Sequence, residues 1–269
     1  MRDCEAKGNM TNTGPEKHRP NNDRELPVVL LHGTSGQSED WSQVVEQLTR
    51  HRPVIRLNYA EPVTGTDSAN APAVSDFADR VVAAARAGGK HRFDLVGFSL
   101  GAAVATFIAA EHAEMVRSLV LVSGFSYGGD PRMRLQFDLW LHLARTDKIA
   151  LVKLFLVSGL SRDFLSAFDE STIDGIIQSF VAMSDWPLIE QNIKVDLAVD
   201  VREAPTLSIT AKYDQMVPPF YTQELADLIP RSKRAEIPSG HLSFLEKPGD
   251  LTSAMLTFLL EKHRSSLTR

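Results

Sequence analysis

The stretch Phe93-Asp94-Leu95-Val96-Gly97-Phe98-Ser99-Leu100-Gly101 joins a short apolar run to a serine flanked by glycines, and an alanine-rich segment follows from Ala102 to His112. The apolar run predicts a buried strand from Phe93 to Val96, and the alanine-rich segment predicts a helix. A strand that passes through Gly-x-Ser-x-Gly into a helix is typical of a turn that presents a nucleophilic serine. A Cβ on either glycine would clash with the neighbouring strand or helix. We therefore interpret Ser99 as a nucleophile; the alternative is a glycine-rich turn that only caps a helix.

Apolar runs of about five residues recur along the chain, and each precedes a turn and a segment of helical period. This alternation predicts an α/β fold with a mostly parallel central sheet flanked by helices. The other predicted strands are Pro27 to Leu31, Pro53 to Leu57, Val116 to Val122, Pro205 to Thr210 and Arg234 to Ile237. The predicted flanking helices are one capped by Ser38, with Trp41, Val44, Val45 and Leu48 on one face, and Val74 to Ala87, Pro219 to Leu228 and Leu251 to Lys262.

The strand pattern stops from Tyr127 to about Val201, where amphipathic helical segments replace it. These segments are Pro131 to Arg145, Lys148 to Val157, Thr172 to Met183 and Leu188 to Val199. The interruption indicates a helical cap, residues 127–203, inserted into an α/β core of residues 26–126 and 204–264. Residues 1–25 contain no apolar segment and predict a disordered tail.

Composition excludes several classes of function. The chain has 269 residues, 43% of them hydrophobic, and a net charge of −5, which describes a globular protein without the basic face that nucleic acids require. The longest apolar run outside the strands, Ile149 to Val157, is too short to cross a bilayer. A single cysteine, Cys4, excludes an intrachain disulfide and a cysteine-based metal cluster. With no signal-peptide core near the start, we expect a cytoplasmic protein.

Four motifs together resemble the α/β-hydrolase superfamily, in the branch with a helical cap inserted after the sixth core strand. They are Leu31-His32-Gly33-Thr34, Val96-Gly97-Phe98-Ser99-Leu100-Gly101, Tyr213-Asp214-Gln215-Met216-Val217-Pro218 and Gly240-His241-Leu242-Ser243-Phe244-Leu245-Glu246. The resemblance covers about Leu26 to Lys262, and the order Ser, Asp, His is that of the family. It implies an α/β-hydrolase fold and a serine hydrolase that uses no metal and no organic cofactor.

A serine hydroxyl needs a base to remove its proton, and that base needs an acid to fix its tautomer. Of the eight histidines, His241 stands where the family places its base, and Asp214 stands where it places its acid. Asp130 is a rival acid, because some members draw the acid from the strand before the cap. Its position before Pro131 is more simply that of a helix N-cap.

The resemblance also implies an oxyanion hole made by the backbone N–H groups of Thr34 and Leu100. His32 is expected to brace the oxyanion turn without entering the chemistry. The stretch Asn58 to Ser68 departs from the family, because it lacks the arginine and one glycine of the usual Asp-x-Arg-Gly-x-Gly-x-Ser pattern. The role of this loop is left open.

Large apolar residues in or beside the cap are candidates for the acyl pocket. Helical spacing cannot separate residues of the cap core from residues that face the substrate. We expect Phe98, Phe125, Trp140 and Trp186 to bind substrate, with Phe137 and Phe155 as further members of the set. Arg132, Arg134 and Lys153 could bind an anionic substrate, although a solvated position is the simpler interpretation.

The leading hypothesis is a hydrolase that cleaves an ester, thioester or lactone of a small, largely apolar acyl substrate through an acyl-enzyme on Ser99. Its partner is then a small-molecule acyl substrate, with no nucleic acid and no membrane involved. Two alternatives stay open. The same triad could cleave a C–C bond, cyclise a substrate or transfer an acyl group. The chain could also be a ligand receptor that has lost turnover, because a fold does not secure a function.

Overall fold

The computed structural model describes residues 26–34, 37–60, 72–126, 130–195 and 204–261. Its centre is a six-stranded sheet in the order β2-β1-β3-β4-β5-β6, in which every neighbouring pair is parallel. The strands are β1 Val28–Leu31, β2 Val54–Leu57, β3 Phe93–Phe98, β4 Val116–Val122, β5 Thr206–Ala211 and β6 Lys233–Ile237. The predicted α/β fold with a mostly parallel central sheet is confirmed.

Two apolar clusters cover the two faces of the sheet. The strands β1, β3 and β4 are buried throughout, because helices cover both of their faces. Alternate residues, such as Val29 and Leu30, therefore belong to different clusters. The flanking helices are α1 Ser42–Leu48, α2 Val74–Ala87, α3 Leu100–Glu111, α9 Pro219–Leu228, α10 Ser243–Glu246 and α11 Pro248–Leu259, with a short 3-10 helix at Ser38–Trp41.

Five further helices lie between β4 and β5, the fourth and fifth strands of the described chain. They pack around their own apolar cluster, which includes Trp140, Phe155 and Trp186. Aspartates at positions 130, 147, 169 and 185 each accept backbone N–H bonds at a helix start, which confirms Asp130 as an N-cap. These inserted helices are α4 Pro131–Thr146, α5 Lys148–Gly159, α6 Arg162–Leu165, α7 Glu170–Met183 and α8 Trp186–Ile193.

Several predicted boundaries need correction. Ser38 is not the cap of α1, because it begins the 3-10 helix and its hydroxyl bonds the Glu39 carboxylate. Helix α8 begins at Trp186, where the Asp185 side chain accepts from the Leu188 N–H, and ends at Ile193. The short helices α6 and α10 were not predicted, because about one turn carries too little periodicity to recognise.

The proposed tail at residues 1–25 lies outside the described residues, as do positions 127–129 and 196–203, where the insertion was predicted to begin and end. The domain boundaries therefore stay predictions. Within the described residues, no helix combines the length and apolar character needed to cross a membrane.

Candidate active site

Ser99 occupies the turn between β3 and α3. Its backbone has φ 53° and ψ −117°, a conformation that non-glycine residues rarely adopt. Its N–H donates to the Val122 carbonyl at 3.0 Å, which holds the turn at the end of the sheet. A Cβ on Gly97 would lie 2.1 Å from the Gly101 carbonyl oxygen, and one on Gly101 would lie 2.5 Å from the His32 carbonyl oxygen. The expectation that this turn needs both glycines is confirmed.

His241 and Asp214 meet in a buried hydrogen bond. The Nδ1 atom of His241 lies 2.6 Å from Oδ2 of Asp214, and both side chains are almost fully buried. The other carboxylate oxygen, Oδ1, accepts the backbone N–H groups of Met216 and Val217 at 2.9 and 2.8 Å. The carboxylate is thus fixed on both sides, and Nε2 is the histidine nitrogen left for chemistry.

Asp130, the rival acid, lies elsewhere. Its Oδ1 caps α4 through the N–H groups of Arg132 and Met133 and accepts the Tyr221 hydroxyl at 2.9 Å. The structure therefore brings His241 together with Asp214, whereas Asp130 is the N-cap of α4.

A cavity of about 520 Å³ lies between the carboxyl edge of the sheet and the inserted helices. Ser99, His241 and Thr34 line it together. Among the described residues, the Ser99 hydroxyl has no hydrogen-bond partner, and its side chain is 8% exposed. Hydrogen bonds between catalytic side chains are often long or absent without substrate and tighten only when substrate binds. The inserted helices and their connections supply much of the apolar wall, in which aliphatic side chains stand beside five aromatic ones: Trp140, Phe155, Phe164, Phe168 and Phe180.

The predicted pocket residues divide between this cavity and apolar packing. Phe98 and Trp140 line the cavity. Phe125 and Trp186 do not line this cavity, and their contribution to substrate binding stays a prediction. The Phe125 ring packs 6.3 Å from the Phe137 ring, and the Trp186 indole N–H donates to the Val181 carbonyl at 3.0 Å. Phe125, in the loop after β4, belongs to an apolar cluster of the core, and Trp186, the first residue of α8, belongs to the cluster of the inserted helices.

The predicted oxyanion turn, His32-Gly33-Thr34, follows β1. Thr34 lines the cavity, and Leu100 supplies the first residue of α3 beside Ser99. Neither backbone N–H donates to another described residue. His32 is buried, stacks on the Tyr59 ring at 4.5 Å and does not line the cavity. Because burial lowers its pKa, His32 stays uncharged and suits a bracing position.

Two residues of the atypical loop support this turn. The Tyr59 hydroxyl donates to the His32 carbonyl at 2.6 Å, and Asn58 Oδ1 accepts the Ser38 N–H at 2.7 Å. Burial raises the pKa of Tyr59 well above its usual range, so its hydroxyl remains a neutral donor. Positions 61–68 of the loop lie outside the described residues.

Carboxylates stand on one side of the cavity. Glu39 and Asp40 line it beside Ser42 and Gln43, and its described lining contains no lysine or arginine. Burial raises the pKa of the Asp40 carboxyl to about 6. Arg132, Arg134 and Lys153 are exposed and lie outside this lining. Within the described chain, no group of three or more His, Cys, Asp or Glu side chains is placed to hold a metal ion.

Sequence reasoning missed Glu246. One of its carboxylate oxygens accepts the Gly240 N–H at 3.1 Å and the Ser161 N–H at 2.8 Å. The carbonyl of Gly159, at the end of α5, accepts the Leu242 N–H at 3.2 Å. These bonds tie the loop that carries His241 to the inserted helices. They join segments about eighty residues apart, which no local pattern reveals.

Comparison with known proteins identifies the family of the chain. Residues 27–248 match the family model of the alpha/beta hydrolase fold, and the chain therefore belongs to the α/β-hydrolase family and is a hydrolase. Pyrrolizixenacetamide deacetylase of Xenorhabdus hominickii is 37% identical over 242 residues, which cover 87% of this chain and 91% of that protein.

Two solved structures show the same fold. The α/β hydrolase MGS-M2, from a Medee basin deep-sea metagenome library, superposes with a TM-score of 0.78 at 18% identity and covers 93% of this chain and 94% of its own. The enol-lactonase of Burkholderia xenovorans LB400 has a TM-score of 0.75 at 21% identity, with coverages of 91% and 94%.

Proposed function

We propose that this protein is a serine hydrolase that removes a small acyl group from a largely apolar molecule, with Ser99 as nucleophile, His241 as base and Asp214 orienting the base. One observation carries the proposal: a serine in a strained turn and a histidine bonded to a buried aspartate line the same cavity. A receptor needs a cavity but not this combination of groups.

The reaction follows from these positions. Ser99 Oγ attacks the substrate carbonyl carbon while its proton passes to His241 Nε2. The carbonyl oxygen becomes an oxyanion, which accepts hydrogen bonds from the N–H groups of Thr34 and Leu100. Collapse of the tetrahedral intermediate breaks the bond to the leaving group, which takes the proton from His241. Water then attacks the acyl-enzyme with His241 again as base, which releases the acid and restores the Ser99 hydroxyl.

The cavity favours an apolar substrate without negative charge. Its aromatic wall suits an apolar group, and Glu39 and Asp40 would repel a carboxylate. The 37% identical relative is named a deacetylase of an acetamide, and a solved neighbour is named an enol-lactonase. We infer an acetyl or similarly short acyl group, held as an ester, thioester, lactone or amide and joined to a neutral or cationic apolar body.

A fluorophosphonate probe tests the nucleophile without the true substrate. It phosphonylates a serine whose proton is removed and whose oxyanion is stabilised. The wild-type protein should be labelled at Ser99, and the Ser99→Ala and His241→Ala variants should not. A folded wild-type protein that stays unlabelled but binds acyl ligands would support the receptor alternative instead.

A panel of phenyl esters with acyl chains from acetyl to octanoyl, together with the matched acetanilide, then tests the substrate class. We expect the highest kcat/KM for the short acyl groups. A maximum at octanoyl would contradict the inferred short acyl group.

A further inference from the structure

Asn192, near the end of α8, reaches the oxyanion turn. Its Nδ2 donates to the carbonyl oxygen of Thr34 at 2.9 Å, across 158 positions of sequence. The Asn192 side chain belongs to the inserted helices, whereas Thr34 follows β1 of the core. Asn192 is only 3% exposed, so water cannot readily take over this bond.

The other end of the same amide has no partner. Oδ1 of Asn192 is fully buried and accepts no hydrogen bond in the described structure. A buried acceptor without a donor destabilises a fold, and a leucine of similar size would avoid that penalty. Stability alone therefore does not explain an amide at this position. Its satisfied half, the Nδ2 donor, points to the Thr34 carbonyl.

The oxyanion turn is held at three carbonyls, and the ring nitrogen Nδ1 of His32 lies 2.8 Å from the middle one, that of Gly33. The Tyr59 hydroxyl holds that of His32 from the core side, and Asn192 holds that of Thr34 from the inserted helices. The Thr34 N–H belongs to the peptide unit of the Gly33 carbonyl, which lies between the bonds from Tyr59 and Asn192. Fixing the carbonyl of a peptide unit and the carbonyls of the units before and after it restricts the direction of its N–H, and a donor fixed before reaction stabilises an oxyanion best.

We propose that Asn192 is a positioning residue of the oxyanion hole, which holds the Thr34 carbonyl so that the Thr34 N–H points at the substrate oxygen. The inference rests on the proposed serine hydrolase function and adds a role for the insertion. The oxyanion hole is complete only when α8 is seated on the turn. The inserted helices therefore contribute to kcat as well as to substrate binding.

The Asn192→Leu variant tests the proposal, since it keeps the volume and removes both the donor and the unpaired oxygen. With phenyl acetate as substrate, we expect kcat to fall about 10- to 100-fold while KM changes less than twofold. The melting temperature should stay level or rise. In Asn192→Asp, assayed at a pH at which the introduced carboxyl is ionised, the carboxylate cannot donate to Thr34 and repels its carbonyl, so kcat should fall at least as far. Glu190→Gln, on the same helix and paired with Arg145, is the matched control and should keep wild-type kcat.

Inhibition by phenylboronic acid supplies a second measurement that a purely structural role would not change. Boron accepts the Ser99 Oγ and forms a tetrahedral anion that places an oxygen in the oxyanion hole. The inhibition constant should rise in parallel with the loss of kcat in both Asn192 variants. Wild-type kcat and boronate affinity in folded Asn192→Leu and Asn192→Asp would overturn the proposal. Failure of the wild-type protein itself to hydrolyse phenyl acetate and to take the fluorophosphonate would instead refute the proposed function.

Discussion

The polar residues at the two ends of strand β3 differ in how fully they are hydrogen-bonded. At the amino end, Asp94 is fully buried, and both carboxylate oxygens are bonded by Arg52, Arg117 and Ser118 at 2.5 to 2.7 Å. At the carboxyl end, five positions later, Ser99 has a strained backbone and a hydroxyl without a partner among the described residues. Strand β3 thus begins at a fully hydrogen-bonded ion cluster and leads into the proposed nucleophile, whose hydroxyl has no such partner.

This difference indicates that the Asp94 end of the strand stabilises the fold, whereas the Ser99 end borders the proposed reaction site. The Asp94 cluster also binds the carbonyls of Leu26 and Leu259, so it joins β3 to both ends of the described chain. In parallel sheets, ligands bind at the carboxyl edge, where loops diverge and leave a crevice. The cavity beside Ser99 lies at that edge. Substitutions at the two ends should therefore separate activity from stability.

The largest effect is expected at Ser99. Ser99→Ala should lower kcat for phenyl acetate by about 10⁴- to 10⁶-fold, because the triad acts as one unit. The melting temperature should change little, since the small side chain makes no hydrogen bond among the described residues. His241→Ala should match this loss, and the double variant should be no slower than either single one. A much slower double variant would mean that the two residues act independently.

The next effect compares two aspartates. Asp214→Asn should lower kcat by about 10³- to 10⁴-fold, because an amide cannot hold the required tautomer of His241 and stabilise its charged form. Asp130→Asn should keep kcat within about threefold, since asparagine is also a good N-cap. Measuring both variants at saturating substrate decides the assignment. The opposite ranking of the two kcat values would assign the role of the triad acid to Asp130.

Asp94→Asn should show the reverse pattern. Removing the carboxylate leaves the buried Arg52 guanidinium without the counter-charge of Asp94, which should lower the free energy of unfolding by about 3–5 kcal/mol. The kcat of the folded protein should stay at the wild-type level. Urea denaturation measures the first quantity, and initial rates in the folded range measure the second. A stable but inactive variant would show that the two ends of β3 are coupled.

The contrast also explains how much the sequence could predict. The turn at Ser99 and the helix α2 follow from neighbouring residues, and local patterns predict both. His241 and Asp214 came from family motifs, and the structure places their side chains 2.6 Å apart. The bonds from Tyr59 and Asn192 to the oxyanion turn join residues that are distant in sequence. Their residue types carry no signal of this use, and the same holds for the arginines around Asp94.

The smallest effect concerns the rim of the cavity, where charge varies with pH. Because burial raises the pKa of Asp40 to about 6, this carboxyl is mostly neutral at pH 5 and mostly charged at pH 7. Glu39, which is exposed beside it, adds a second carboxylate. Selectivity for a cation should therefore rise with pH. The probes are phenyl acetates that carry either a trimethylammonium group or a neutral tert-butyl group of the same shape.

The ratio of kcat/KM for these two esters separates the effect of Asp40 ionisation from the effects of other groups in the site. Any ionisation of His241 affects both substrates equally in the free enzyme, so it cancels in the ratio. Gaining one negative charge within several ångströms of the bound cation is worth about 0.7 kcal/mol in a largely aqueous environment, or roughly a threefold increase between pH 5 and 7. Asp40→Asn should flatten the pH profile of the ratio, while Glu39→Gln should lower its level and keep its rise. A ratio that is flat in the wild-type protein would show that the leaving group lies away from Asp40, and the inferred preference for cationic bodies would then be wrong.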